Sequence, residues 1–509
     1  MRGKLPLLAM GISSSVRIYN TLTQVKEPLV ARSGDRIAFY LCGPTTYDMA
    51  HVGHVRAVLV YDVLVRYLRA KGVPLLFIRN VTDVDDKIIA RAAKTGEEPQ
   101  ALAARYADEF ARDMGAVGIL PPDVEPRVTG HMSEIVRTIE EIIARGFAYE
   151  SSGSVYFSVR KFPGYGKLSR RNLDDLLCGA RVEVDERKND PLDFALWKCA
   201  KPGEPQWPSP WGGGRPGWHI ECTAMSLRYA PAGLDLHAGG MDLIFPHHEN
   251  EIAQSEAVLG TTFSTIWMHH QFVNIDKQKM SKSLGNFFTV RDVLEKAEPE
   301  ALRYHYLGTH YRSPISFDVR LDEAGQVVGF PALEDAEARV LYCYETLGRA
   351  SAVAGASPPD PDALPDVPAI RGFRARFDAS MDDDVNTAQC LAALADMLRV
   401  TNDLAHDAGG LAEPARRAAL AFALGEVRHA ASVLGVLERS PAEFLAAREA
   451  RAVSRRGLDE DWIGGQIAAR VEARKRRDFA EADRIRDALR TAGVEIMDGA
   501  GGTTWKVAT

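Results

Sequence analysis

The stretch Cys42-Gly43-Pro44-Thr45-Thr46-Tyr47-Asp48-Met49-Ala50-His51-Val52-Gly53-His54 separates two segments of different period. Before it, Ile37 to Leu41 is an unbroken apolar run, the pattern of a buried strand. After it, Val55 to Leu68 repeats apolar residues at helical spacing. Open α/β sheets hold their ligands at such strand-to-helix loops, beyond the carboxyl ends of the strands. His51 and His54 fall one turn apart where the helix begins. Backbone N–H groups and the macrodipole there favour an anion such as a phosphate. The H-x-G-H pattern is short, and two surface histidines in a turn would read the same way.

The arrangement recurs along the chain. Leu75 to Ile78 is a second buried run, ending in Asn80-Val81-Thr82-Asp83-Val84-Asp85-Asp86-Lys87. Three aspartates in four positions suit either a magnesium site or the cap of a helix over Lys87 to Lys94. Amphipathic helices are expected over Ala101 to Met114 and Ser133 to Arg145. From Phe147 to about Cys199 the pattern turns to short β-like pieces, an insertion that splits the core. The core resumes at Trp207 to Cys222, a glycine- and proline-rich loop, with a helix expected over Trp218 to Leu227. Leu234 to His237 ends a further strand, followed by Ala238-Gly239-Gly240-Met241-Asp242. Pro246-His247-His248-Glu249-Asn250-Glu251 opens a helix to about Leu259, with proline in its first turn. Phe272 to Asp276 leads into a basic, glycine-ended loop, Lys279-Met280-Ser281-Lys282-Ser283-Leu284-Gly285-Asn286, and Thr289 to Leu307 reads as helix.

Composition sets the bounds. The 509 residues predict three or four domains, one of them large. With 46% hydrophobic and 26% charged residues, this is ordinary globular material. A net charge of −7 argues against nonspecific coating of nucleic acid, yet leaves room for a local basic patch. Six cysteines without regular spacing do not make a disulfide framework. Cys42 and Cys222 sit in motif-like loops, whereas Cys178, Cys199, Cys343 and Cys390 have no such context. The apolar run near the N-terminus, Leu5 to Met10, is short and contains proline, a poor signal peptide. An extended start, with Met10 as the alternative, is expected. No run of about 18 apolar residues predicts a membrane span, so a cytoplasmic location is expected.

Leu321 to Leu437 is alanine- and leucine-rich with helical periodicity, interrupted by Ser357-Pro358-Pro359-Asp360-Pro361, and predicts a helical bundle. In the last fifty residues, Trp462 to Arg477 and Phe479 to Arg490 are helices, with Asp478 as a cap. Val494 to Met497 and Thr503 to Val507 flank a glycine-rich hairpin turn. The helix pair carries Arg470, Arg474, Lys475, Arg476, Arg477, Arg484, Arg486 and Arg490. That cluster is either a solvated face or a contact surface for a nucleic-acid backbone. Cys42, Cys222, His247 and Glu251 make a plausible tetrahedral zinc set, with His247 and Glu251 four apart on one helical face. A metalloprotease helix is excluded, because His248-Glu249 has no histidine where a zincin requires one.

His51-Val52-Gly53-His54 and Lys279-Met280-Ser281-Lys282-Ser283, in that order and divided by an insertion, resemble the signatures of class I aminoacyl-tRNA synthetases. Cys42-Gly43-Pro44-Thr45, Asn80 to Lys87, Gly217 to Cys222, Pro246 to Glu251, Met381-Asp382-Asp383-Asp384-Val385-Asn386-Thr387 and Gly502-Thr503-Thr504-Trp505 narrow the resemblance to the cysteinyl-tRNA synthetase family, from Val16 onward. It implies an α/β fold with a Rossmann-type catalytic core in two halves (16–146 and 200–270) and a connective insertion (147–199). It also implies a loop and stem-contact region (271–320), a tRNA-binding helical bundle (321–437) and a small α+β anticodon-recognition unit (460–509). By the same resemblance, Cys42, Cys222, His247 and Glu251 bind zinc, which takes the substrate thiol. Gly43, Thr82, Trp218 and His237 complete the cysteine pocket, to which Cys42 also belongs. His51, His54 and Lys282 handle the phosphates of ATP with Lys279 behind, Gly239, Gly240 and Asp242 line the adenosine site, and magnesium accompanies ATP. The implied partners are tRNA(Cys), ATP and L-cysteine, with the chain acting as a monomer. The alternative is the related ligase that joins cysteine to an amino sugar–inositol in the mycothiol pathway. Its distinguishing feature would be that it needs no basic tail from Trp462 onward.

Overall fold

Four parallel strands form the centre of the core. In spatial order they are Ser264–His270, Leu234–Gly240, Ile37–Leu41 and Leu75–Arg79. The chain passes from Ile37–Leu41 outward to Leu75–Arg79, then returns on the other side to Leu234–Gly240. The order of strands therefore reverses between Ile37–Leu41 and Leu234–Gly240, the point at which open α/β sheets leave a crevice. The computed structural model describes residues 13–173, 186–275, 278–279, 287–355, 367–406, 410–499 and 502–507. Outside these lie the N-terminal run, Cys178, Lys282, the proline-rich segment 357–361 and the tip of the terminal hairpin. Two units can be distinguished: one from 1–340, 366–400 and 425–436, the other from 341–365, 401–424 and 437–509.

The helix that follows the opening loop, Val52–Ala70, is apolar nearly all round and is buried nearly all round, as such a pattern requires. Its polar residues are answered one by one. Asp62 accepts from Arg66 Nε at 3.0 Å, from the backbone N–H of Leu120 at 3.0 Å and from Arg303, which also donates to the Leu434 carbonyl at 2.6 Å. Arg56 donates to the carbonyls of Tyr306 and His310 at 2.8 and 3.0 Å. Buried charges persist when their remaining hydrogen-bonding groups are met in this way. This helix thus serves as a post to which later segments of the first unit are tied.

Elsewhere in that unit the insertion forms an antiparallel sheet of Ala148–Ser151, Ser154–Phe157 and Phe194–Cys199, which also takes in Gly214–Pro216. The expected helix over Thr289 to Leu307 is two, Val290–Lys296 and Pro299–Leu307. Pro299 has no N–H to continue the first and starts the second, while Thr289 and Asp292 cap the first reciprocally. The expected strand end at His237 runs on to Gly240, so both glycines belong to the strand. The three aspartates of Met381–Thr387 each have a job in holding this segment. Asp382 meets Tyr67 at 2.8 Å, Asp383 meets Lys26 at 2.6 Å, and the buried Asp384 accepts from Tyr311 at 2.6 Å and Arg312 at 2.7 Å.

The alanine-rich region is helical: Pro331–Ala354, Phe373–Asp382, Thr387–Ala405 and Glu413–Leu434. In the second unit, Glu460–Lys475 and Phe479–Thr491 pack with the hairpin Val494–Gly499/Gly502–Val507. Their small core comprises Val453, Ile463, Ile485, Leu489, Val494 and Val507. Asp478 caps the second helix through the N–H of Glu481. Among the described residues no helix is long and apolar enough to cross a membrane.

Candidate active site and metal centre

A cavity of about 360 Å3 lies at the reversal point of the sheet. Cys42, Gly43, His51, His54, Trp218, Gly239, Gly240 and Asp242, all singled out in the sequence, line it. Glycine at 43 is a requirement of close approach. A Cβ there would stand 1.5 Å from the Asn80 carbonyl oxygen, and the Gly43 N–H donates to the Asn80 side chain at 2.8 Å. Gly239 is likewise hemmed in, by His248 and Leu243, each 2.8 Å from a Cβ placed there. Its carbonyl accepts from Tyr61 of the buried helix at 2.7 Å.

His51 caps the Val52–Ala70 helix and stacks on His54, ring centroids 3.7 Å apart. His54 Nδ1 accepts from the His51 backbone N–H at 3.2 Å. An accepting Nδ1 assigns the proton to Nε2, so neutral His54 keeps a donor at its far nitrogen. The segment just after the basic loop returns to this place. Val52 N–H donates to the Phe288 carbonyl at 3.2 Å, Val290 N–H to the Ala50 carbonyl at 2.9 Å, and Phe287 meets the His51 ring edge-on. Both flanks of the sequence pattern thus converge on one cavity. Lys282 lies outside the described residues, and of Lys279 the backbone is placed, in a short strand paired with Asn274.

Cys42, Cys222, His247 and Glu251 converge, their ligand atoms all within 4.8 Å of one another. Cys42 Sγ is 3.8 Å from Cys222 Sγ and 3.6 Å from Glu251 Oε1, and His247 Nε2 is 3.1 Å from the same oxygen. Donors about 2.0–2.3 Å from a tetrahedral zinc stand roughly 3.3–3.8 Å apart, so these separations fit the ion with little change. Without a cation the set shares protons among itself, and metal binding would displace those on Cys42 and His247. The Cys42 S–H donates to Cys222 and draws that thiol down to about 6, whereas burial, and then the neighbouring Cys222 and Glu251, push Cys42 well up. Burial alone would depress His247, but Glu251 and Cys222 bring it up to about 10. Burial likewise opposes the Glu251 charge, but His237 and His247 hold that carboxylate down at about 2. The shifts favour the charged forms of Cys222 and Glu251 within this set. A second set, Cys42, His237, His248 and Glu251, shares two of these residues. The set with both sulfurs is the better match for a soft divalent ion such as zinc.

The other histidines act behind this set. His237 is fully buried and its Nε2 lies 2.8 Å from Glu251 Oε2, turning the other carboxylate oxygen toward His247. His248 faces Cys42 at 3.4 Å and pairs through Nδ1 with His269 at 2.8 Å, which in turn pairs with Thr21 at 2.7 Å. Trp218 stacks on His247 with centroids 4.3 Å apart and exposes its other side to the cavity. Thr82 is also buried, its hydroxyl donating to Glu221 at 3.1 Å. Thr82 and His237 are therefore next to the cavity wall without forming its surface. His248 and Asn80 lie within quoted motifs without an assigned role, and His269 and Thr21 were not singled out in the sequence. Their signal was position, polar residues at the carboxyl ends of strands or in an adjoining turn, which many residues share.

The aspartates after the second strand resolve as structure. Asp83 accepts from the Thr129 backbone at 3.0 Å, Asp85 caps the helix Asp86–Thr95, and Asp86 pairs with Lys198 at 2.7 Å and with Arg215. In the second unit, the basic helix pair carries its own carboxylates. Arg470 grips Asp498 with two bonds of 2.9 and 2.8 Å, and Arg474 joins it at 2.7 Å. Lys475, Arg484, Arg486 and Arg490 each pair with an acid three positions away. Such exposed pairs are screened by solvent and contribute little to stability.

Three family models match the chain. Residues 28–325 match "tRNA synthetases class I (C) catalytic domain", residues 376–438 the "DALR domain", and residues 466–505 the "Cysteinyl-tRNA ligase anticodon binding domain". A curated cysteine–tRNA ligase of Anaeromyxobacter sp. (strain Fw109-5) is 53% identical over 498 residues, covering 96% of this chain and 99% of that one. One from Trichlorobacter lovleyi is 47% identical over 498 residues, covering 97% and 100%. The fold resembles Mycobacterium tuberculosis methionyl-tRNA synthetase in complex with methionyl-adenylate, TM-score 0.58 at 18% identity, over 84% of this chain and 95% of that one.

Proposed function

The chain belongs to the cysteine–tRNA ligases, class I aminoacyl-tRNA ligases, and from that premise we propose how its residues divide the reaction. Cysteine and ATP give cysteinyl adenylate and diphosphate, and the cysteinyl group then passes to the 3′ end of tRNA(Cys). The observation that carries the reading is Cys42, which belongs at once to the four-residue donor set and to the wall of the cavity. Cys42, Cys222, His247 and Glu251 hold zinc, which when bound supplies a soft Lewis acid that takes a thiolate in preference to a hydroxyl. An apolar pocket alone separates near-isosteres by about 1–3 kcal/mol, too little to reject serine.

The chain's own residues do the rest. His237 orients Glu251, and Trp218 backs His247 while closing the cysteine side against water. Gly43 lets the first loop reach Asn80, and Thr82 braces that wall through Glu221. His54 offers its Nε2–H, and His51 the start of a 19-residue helix, to the α-phosphate as diphosphate departs. Gly239 and Gly240 let the strand approach the adenosine, with Asp242 beside them. Lys282, backed by Lys279, neutralises the triphosphate together with magnesium. No covalent enzyme intermediate is needed; positioning and electrostatics carry the chemistry. The helical region and the C-terminal unit hold tRNA(Cys), and the chain acts as a monomer in the cytoplasm.

The test is transfer of labelled cysteine, with serine alongside, to unfractionated tRNA. The intact chain is compared with one ending before Trp462. Cysteine charging by the intact chain that collapses in the shortened one is the expected result. Adenylate formation with no tRNA charged by either would contradict it and favour the amino sugar–inositol ligase.

A further inference from the structure

The helix Glu249–Leu259 carries Glu251 and continues from the turn Ile244–His248 that holds His247, so its placement sets the geometry of half the donor set. At 3.6 residues per turn, Glu249 and Glu256 lie about 140–160° around it from Glu251. Both meet the segment Phe162–Arg171 of the insertion. Glu249, 1% exposed, accepts from the backbone N–H of Ser169 at 2.7 Å and from that of Leu168 at 3.4 Å. Asn250 accepts from the Tyr165 hydroxyl, and Glu256, two turns further on, pairs with Lys167 at 2.5 Å. Phe162 and Leu168 share the apolar core with Ile252 and Ala253.

We infer that Glu249, with Tyr165 and Asn250, is a positioning group for the metal centre, through which the insertion clamps the helix that presents His247 and Glu251. The argument is mechanical. Glu249 is the first residue of an 11-residue helix, where the macrodipole favours its charge. Its two oxygens each hold one insertion N–H, which fixes the start of the helix against both sliding and rolling. A rotation of the first turn would draw His247 and Glu251 away from the two cysteines, which belong to other elements. Partners that orient ligands in this manner typically change metal affinity 10–100-fold when removed. The clamp also explains a pattern the zinc reading leaves idle: Glu249 and Asn250 lie inside the motif but ligate nothing.

This inference rests on the proposal that the four residues bind zinc, so the test begins with the zinc-loaded full-length protein. Zinc release into excess chelator is followed for the parent, Glu249→Gln, Tyr165→Phe and Glu256→Gln, each checked for native circular dichroism. Glu249→Gln leaves one acceptor oxygen where two are needed and should release zinc about tenfold faster. Tyr165→Phe should shift in the same direction, with KM for cysteine raised and KM for ATP unchanged in both. Glu256→Gln removes an ion pair of the same helix about one and a half turns beyond Glu251, on a face away from it, and should release zinc at the parental rate. Parental release from Glu249→Gln and Tyr165→Phe overturns the inference, as does equal acceleration in Glu256→Gln. If Glu249→Gln does not fold, Tyr165→Phe decides. A parent that takes up no zinc overturns the zinc reading itself.

Discussion

Gly43→Ala is the sharpest single perturbation of the cavity wall. The added Cβ would sit 1.5 Å from the Asn80 carbonyl oxygen, whereas real Cβ atoms do not come within 3.0 Å of such a neighbour. The obstacle is backbone, with no flexible side chain to swing aside, so one of the two loops must retreat by about 1.5 Å. Overpacking of this kind costs about 1–3 kcal/mol of stability. The functional effect should reach the upper end of that range, because Cys42 is the adjacent residue. A misplacement of about 1 Å at a reacting site can lower the rate 10²-fold, equivalent to about 2.7 kcal/mol of barrier. The assay is cysteine-dependent ATP–pyrophosphate exchange, with zinc content measured on the same sample. The expected result is a drop in kcat/KM for cysteine of about two orders of magnitude, while KM for ATP changes less. Gly43→Ala protein with parental exchange and parental unfolding temperature would refute the close approach and the wall built upon it.

Two further outcomes follow from buried charge. Asp62→Asn leaves Arg66 and Arg303 without their shared carboxylate and should lower unfolding free energy in urea by about 3–5 kcal/mol; a loss below about 1 kcal/mol contradicts the role given to this post. Acid should also weaken the fold through His270, which burial, and then the charge of Arg56, draws down to about 3. Its folded value lies below its unfolded one, so the unfolded chain binds the extra proton first and stability falls as pH drops below about 6.5. Between pH 7 and pH 5 the loss is about 2 kcal/mol, levelling off below the folded value. His270→Asn should show a correspondingly shallower decline, read from unfolding midpoints at the two values; identical declines contradict it.

The sheet was legible because buried parallel strands write themselves as short apolar runs, and ligand residues collect at one end of each. Ile37–Leu41 and Leu75–Arg79 needed nothing more. Pro299 marks a helix break, but the apolar periodicity running through it hid the break. Layering was not legible. Cys42 and Trp218 face the cavity while His237 and Thr82 stand behind it, a distinction that depends on packing and leaves no mark on spacing. The chain Cys42–His248–His269–Thr21 joins four separate elements, and no local pattern announces such a contact. In the C-terminal unit the arginines were conspicuous in sequence, but the carboxylates that answer them, Asp498 above all, are interleaved on the same helices and hairpin.

The measurement that bears most directly on the account is ATP–pyrophosphate exchange driven by cysteine and by serine, in zinc-loaded and zinc-stripped protein. With zinc in place, cysteine should exceed serine by at least about 10⁴-fold, beyond what a pocket fitted to shape alone achieves. Stripping should collapse cysteine-dependent exchange and bring the ratio down toward the 10–200-fold range of shape alone, with recovery on zinc return. Stripped protein that keeps the full preference for cysteine would contradict the assignment of selectivity to Cys42, Cys222, His247 and Glu251.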